Sequence, residues 1–249
     1  LNNCNKNIFQ IIESKDRQDT IEFMNLTEFV DLIIPRGGKG LIQTLVDNSK
    51  VPFILDGDGN VHLYIHQDAK KEHIIDIVIN SKVQRPGVCN ALETLLINSQ
   101  IYQDMGSLII EELLENEVEL FVDEKIKEDF PNLNLANESH YETEFLDLKL
   151  AVKVVDSVDQ AIEHIKIYSS GHTEAILTES KEVADTFAKS IDSSVIFINS
   201  STRFTDGEMF GFGSEIGIST QKLHVRGPMG LEALTNERYV VTGEGTVRG

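Results

Sequence analysis

Ten residues, Gln84 to Glu93, read QRPGVCNALE and place Cys89 behind an Arg-Pro-Gly turn. A cysteine is either a small buried apolar group or, as the thiolate, a nucleophile. Reactive side chains gather on turns held by rigid elements. Arg85 favours the thiolate, and a helical turn opening at Asn90 would add the pull of its unbonded amides. From these residues alone both roles stay open. His62, His66, His73 and His172 are available in principle as a base, and no spacing pairs any of them with Cys89. Cys4 lacks such a setting, and no cysteine or histidine pair has zinc-ligand spacing, so no metal is expected.

Three further stretches carry chemical potential. DLIIPRGGKGLIQTL sets Gly37, Gly38 and Gly40 between an apolar run and a helical pattern, with Arg36 and Lys39 beside them. Amides at such a turn and a helix amino terminus favour a phosphate, although glycine also simply permits a tight turn. No Gly-Lys-Ser/Thr closes a Walker motif. DGDGNVHLYIHQ has Asp56, Asp58 and Asn60 at calcium-loop spacing, but Val61 and Gln67 stand where glycine and glutamate are needed. A turn leading into a strand accounts for it better. FGFGSEIG, Phe210 to Gly217, misses the dinucleotide fingerprint by one residue and suits close backbone packing near a pocket. Before it, Ser201, Thr202 and Arg203 form a group suited to a carboxylate or phosphate, though a lone arginine is commonly just solvated.

These residues need a scaffold, and the order of apolar runs supplies one. NIFQII (Asn7 to Ile12), DLIIP, VPFIL, VHLYI, ETLLI, VELFV, KLAVKVV, EAILT and SVIFIN read as strands, with VHLYI alternating and half-buried. Helical patterns fall near Thr20 to Met24, over GLIQTLVDNS, from an Asp68 cap to Lys82, from a Ser107 cap over LIIEELLE, from Ser157 to Tyr168, and from Ser180 to Lys189. Strands alternating with helices predict parallel sheets covered on both faces. NLNLANESHYETE, Asn132 to Glu144, reads as a loop, and a change of domain is expected near Asp56 to Gly59.

Composition narrows the class. The chain has 249 residues, 25% charged and 41% hydrophobic, an ordinary globular balance. Lys plus Arg number 22 against 41 Asp plus Glu, a net of −19 that repels phosphate backbones, so nucleic acid is not an expected partner. No apolar run approaches the roughly 20 residues that cross a bilayer. Two cysteines are no disulfide framework, and a reducing cytoplasm is expected.

DLIIPRGG, QRPGVCNALETLLI, AVKVVDSVDQAIEHI, HTEAILTES, NSSTRFTDGEMFGFGSEIGIST and HVRGPMGLEAL, in that order, resemble the gamma-glutamyl phosphate reductase family of the aldehyde dehydrogenase superfamily. The resemblance implies an aldehyde dehydrogenase-like α/β fold with part of a Rossmann-type cofactor lobe and an α/β catalytic lobe built on a parallel sheet. It implies reduction of gamma-glutamyl phosphate by NADPH, to glutamate gamma-semialdehyde and phosphate, in proline biosynthesis. Cys89 would be the nucleophile, forming a thioester that hydride reduces. Arg36, Gly37 and Gly38 would contact cofactor phosphates, and Glu144 the nicotinamide ribose. Arg203, with Ser201 and Thr202, would meet the substrate, Arg203 taking its carboxylate. Asn90 and His172 also match family motifs; Asn90 is placed with the substrate group, and His172 has no assigned role.

The pattern departs from the family in two places. Many aldehyde dehydrogenases carry a glutamate base upstream of the cysteine; here the matching stretch reads Leu55-Asp56-Gly57, with Asp56 displaced by one residue. That weakens hydrolysis of the thioester more than its reduction. The chain also starts where the family's cofactor domain is well under way, so a carboxy-terminal portion is expected. Residues 1–58 would be the remainder of the cofactor lobe, 59–225 the catalytic lobe, and 226–249 a tail with a strand near RYVVTG that returns to the first lobe or reaches a neighbouring subunit. A homo-oligomer and transfer of substrate from glutamate kinase are the expected associations. A catalytically silent folded or oligomerising module and a hydrolytic aldehyde dehydrogenase are the alternatives.

Overall fold

The structure, a computed structural model, describes Asn5 and residues 7–249. Contacts divide the chain into Leu1–Asp56 and Gly57–Gly249. Cys4 lies outside the described residues.

In the first unit, helix α1 (Arg17–Phe23) starts where the Asp16 carboxylate accepts from the Gln18 N–H, and α2 (Lys39–Asn48) starts at Gly38. Met24, Leu45, Val51 and Ile54 are its buried apolar residues. The two short runs read as strands reduce to one parallel bridge, Ile33 to Phe53. Ile33 donates to the Pro52 carbonyl at 2.9 Å and Ile54 to the Ile33 carbonyl at 3.0 Å. Pro35 and Pro52 have no N–H, so the ladder cannot lengthen. Asn7–Ile12 is no strand: among the described residues no strand pairs with it, and Ile8, Phe9, Ile11 and Ile12 stay exposed. An apolar run becomes a strand only when another edge takes its hydrogen bonds.

The second unit is built on β1 (Val61–Ile65), β2 (Leu92–Asn98), β3 (Glu119–Val122), β4 (Asn134–Leu135), β5 (Lys149–Val155), β6 (Thr173–Leu177) and β7 (Val195–Ile198). They form a seven-stranded sheet in the order β4-β3-β5-β2-β1-β6-β7, every neighbouring pair parallel. Successive strand residues point to opposite faces. Leu63, Leu95, Ile97 and Ala175 therefore pack with Ile74 and Val78 of α3 (Lys71–Val83) and with Ile109, Ile110 and Leu113 of α4 (Ser99–Glu115). Tyr64, Leu96 and Ile176 pack on the other face with Ile162 and Ile165 of α7 (Val158–Tyr168) and Phe187 of α8 (Lys181–Ser190). Each of the leucine, isoleucine, valine and phenylalanine side chains among them contributes about 2 kcal/mol by leaving water.

Helix cover on both faces explains why β1 is buried at all five residues rather than half-buried. Asp68 does not cap α3; its Oδ1 accepts from the Thr178 hydroxyl at 2.7 Å, and α3 starts after Lys70 without a side-chain cap. Ser107 lies inside α4, whose cap is Asn98, accepting from the Gln100 N–H at 2.9 Å. After α5 (Glu124–Asp129), the stretch read as a loop holds β4 and the short α6 (Glu138–Glu142), because Asn137 and His140 close a capping box there. Ser157 and Ser180 cap α7 and α8. A separate antiparallel pair, β8 (Gly217–Ser219) and β9 (Gly227–Met229), follows β7. Residues 238–242 form no strand, and Tyr239, Val240 and Val241 are exposed. No helix among the described residues is long and apolar enough to cross a membrane.

Candidate active site

Parallel strands put all their starting ends on one rim of the sheet, and the loops that lead into β1, β2, β5 and β6 meet there. Cys89 stands on that rim, half-buried, in the turn between α3 and β2. The turn closes with the Ala91 N–H on the Val88 carbonyl at 3.0 Å. No helix opens at Asn90; the chain enters β2 two residues later, so helix amides add nothing to the thiolate. Asn90 is instead a clamp. Its Nδ2 donates to the Thr205 carbonyl at 2.7 Å, and its own carbonyl accepts from the Thr202 hydroxyl at 2.8 Å.

The loop after β7 is thereby fixed against the cysteine turn. Ser201 and Thr202 are buried and turn their hydroxyls into the protein. Ser201 Oγ accepts from the Arg203 N–H at 3.2 Å and from Ser81 Oγ at 3.2 Å. Arg203 donates from Nε to Gln84 Oε1 at 2.8 Å. Partial burial and then the Arg85 charge push the Arg203 guanidinium down, while Asp206 and Cys89 draw it up.

On the opposite side of the turn, Gly59 N–H donates to Glu144 Oε1 at 2.6 Å. A Cβ on Gly59 would lie 1.7 Å from the Cys89 carbonyl oxygen, so only glycine fits. Asn60 donates its amide nitrogen to the carbonyls of Tyr141 at 2.7 Å and Tyr168 at 2.8 Å, which ties the start of β1 to the segments before β5 and β6. No cluster of His, Cys, Asp and Glu able to hold a metal occurs among the described residues. His172 is fully buried; its Nδ1 lies 2.8 Å from Thr173 Oγ1, which lies 2.9 Å from Thr205 Oγ1. Burial pushes His172 down to about 4, so its ring is neutral at physiological pH.

The structure therefore brings Cys89, Asn90, Thr202, Arg203 and Glu144 into one neighbourhood. Arg36, Gly37 and Gly38 lie in the first unit. There the Arg36 guanidinium pairs with Asp56, Gly37 faces Leu41, and Gly38 begins α2 with no side chain on the helix amides. In the FGFG segment Gly211 and Gly213 have φ of 81° and 72°, and the turn borders a cavity of about 920 Å³ that Phe212, Arg226 and Leu231 help to line.

Sequence reasoning missed the buried pair Lys82–Glu93, with Nζ 2.8 Å from Oε2. A signal existed. Lys82 continues the stripe of Ile74 and Val78 at four-residue steps, and Glu93 interrupts an apolar strand, so both charges occupy core positions.

The sheet and its flanking helices are the aldehyde dehydrogenase-like fold. An acetylating aldehyde dehydrogenase from Geobacillus thermoglucosidasius matches it with a TM-score of 0.74 at 18% identity, over 98% of this chain and 63% of that one. Within that class the chain is homologous, along nearly its whole length, to the gamma-glutamyl phosphate reductases. It is 51% identical over 239 residues to the enzyme of that name from Thermoanaerobacter pseudethanolicus, covering 96% of this chain and 58% of the relative. The crystal structure of gamma-glutamyl phosphate reductase from Thermotoga maritima matches with a TM-score of 0.91 at 48% identity, over 96% of this chain and 57% of that one. No protein-family model matches the chain. The chain spans a little under three-fifths of the length of these relatives.

Proposed function

We propose that the chain carries the nucleophile and substrate wall of an enzyme reducing gamma-glutamyl phosphate to glutamate gamma-semialdehyde in proline biosynthesis. One observation carries this: Cys89 sits on a turn at the sheet rim that Asn90 clamps to the loop carrying Arg203. The Cys89 thiolate attacks the acyl carbon, and the carbon–oxygen bond to phosphate breaks with its electron pair leaving on phosphate. The thioester accepts hydride at carbon, and the resulting thiohemiacetal expels the thiolate and releases the aldehyde. Arg203 holds the substrate carboxylate, while Asn90 and Thr202 keep the cysteine turn in place.

NADPH supplies the hydride when bound. The uncapped start of α2 fits a phosphate, because its amides carry no side-chain oxygen. Gly37 and Gly38 amides with Arg36 would hold the cofactor phosphates, and Glu144 a ribose hydroxyl. Holding the thioester beside the hydride donor is what the covalent step achieves. The site lies in a catalytic lobe of residues 59–225, and residues 1–58 belong to a cofactor lobe. The exposed apolar residues at Ile8–Ile12 and Tyr239–Val241 support contact with another subunit, and the biosynthetic role supports a cytoplasmic setting with substrate handed on by glutamate kinase.

The test uses the longest native polypeptide containing this sequence and follows NADPH absorbance during pyrroline-5-carboxylate oxidation by NADP. Turnover that needs phosphate and is abolished by Cys89→Ser is expected. Full turnover in Cys89→Ser would sink the mechanism, and turnover without phosphate would assign a hydrolytic aldehyde dehydrogenase instead.

A further inference from the structure

Lys82 and Glu93 are 0% and 1% exposed and stand at the two roots of the segment that carries Cys89, one in the last turn of α3 and the other near the start of β2. Two charges this deep cost several kcal/mol each to desolvate, and a well-packed apolar pair would serve stability as well or better. Burial pushes the Glu93 carboxyl up to about 7 against the pull of Lys82, and pushes Lys82 down. The other charges they sense are Asp147, which acts on Lys82, and Glu144, which acts on Glu93.

What the pair provides is geometry. Glu93 Oε2 takes the Lys82 ammonium at 2.8 Å, and its Oε1 takes the Leu146 N–H at 3.0 Å. Two residues before Leu146, Glu144 holds the Gly59 N–H, and Gly59 bears on the Cys89 carbonyl. Glu93 thus joins both roots of the cysteine turn to the segment that braces it from the other side.

We propose that the Lys82–Glu93 ion pair is the positioning device of the nucleophile, holding the Cys89 turn in register against the loop that carries Arg203. This rests on Cys89 being the nucleophile, but it is tested without turnover. Cys89 alkylation by iodoacetamide is followed by peptide-resolved mass spectrometry from about pH 6 to 9, in the native protein and in Glu93→Gln, Lys82→Arg and the double variant Lys82→Met with Glu93→Leu.

The double variant leaves no unpaired charge, though it removes the acceptor of the Leu146 N–H, and is expected to fold with an unfolding temperature near that of the native protein. Its Cys89 is expected to react about tenfold more slowly near neutral pH, with the profile displaced upward by about one unit. Glu93→Gln shifts the same way, and Lys82→Arg recovers part of the rate. A folded double variant that alkylates at the native rate and with the native profile overturns the proposal. A double variant that does not fold assigns the pair to stability and overturns it as well. A displaced profile in a protein that lacks reductase activity leaves the positioning role standing and removes the activity.

Discussion

Gly59 lies so close to the backbone of Cys89 that a Cβ at position 59 would fall 1.7 Å from the cysteine carbonyl oxygen and 2.6 Å from its Cα. The contact is backbone on backbone, so no rotamer change relieves it. Gly59→Ala is expected to cost about 3 kcal/mol and to displace the cysteine turn. Urea unfolding gives the first quantity. The alkylation rate of Cys89 gives the second; native values of both would show that the turn yields freely.

Arg203 lies on the loop that Asn90 clamps to the cysteine turn, and its Nε is held by Gln84. Arg203→Met removes the charge and keeps the length. The pH at which Cys89 reacts half-maximally is expected to rise by about one unit. In the complete enzyme KM for gamma-glutamyl phosphate should rise more than kcat falls. An unchanged thiol profile would place the guanidinium away from the sulfur.

Thr202 donates its hydroxyl to the Asn90 carbonyl in a fully buried setting. Thr202→Val keeps the volume and leaves that carbonyl without its donor. A loss of about 1–3 kcal/mol is expected in chemical unfolding, together with altered Cys89 reactivity. Loss of stability with native reactivity would confine Thr202 to packing.

His172 is held down to about 4 by burial, from an ordinary 6.5. As pH falls below about 6.5 the unfolded chain takes the proton first, so this contribution to stability is whole above that pH and declines towards about pH 4. Near the middle of that window one histidine contributes a slope of about 1.4 kcal/mol per pH unit, and about 3 kcal/mol in all. His172→Gln is expected to flatten the decline without abolishing it, because burial also holds His164 down, to about 2. Urea midpoints across the window measure it; equal slopes in the two proteins would refute it.

The sheet was legible because its apolar runs alternate with capped helical stretches; Ser157 and Ser180 cap where their spacing says they should. Asn7–Ile12 and Tyr239–Val241 have the same apolar character without a neighbouring strand, and composition does not report that. Among the chemical residues, Cys89, Asn90, Thr202 and Arg203 stand in quotable motifs, and the structure brings them together. The contacts that brace them were not legible. Gly59 meets Glu144, and Glu93 meets Leu146, across separations that no local period encodes. Lys82 continues the stripe of Ile74 and Val78 along α3, the one local pattern that marks it as a core position.

Because every strand of the large sheet runs the same way, its two rims answer to different constraints. An insertion ahead of β5 would tear Leu146 from Glu93 and disturb the sulfur at a distance. One at Gln67, exposed beyond the far end of β1, touches none of those links. Affinity handles, dyes or grafted peptides therefore belong on the far rim, where the molecule can be decorated without the thiol registering the change.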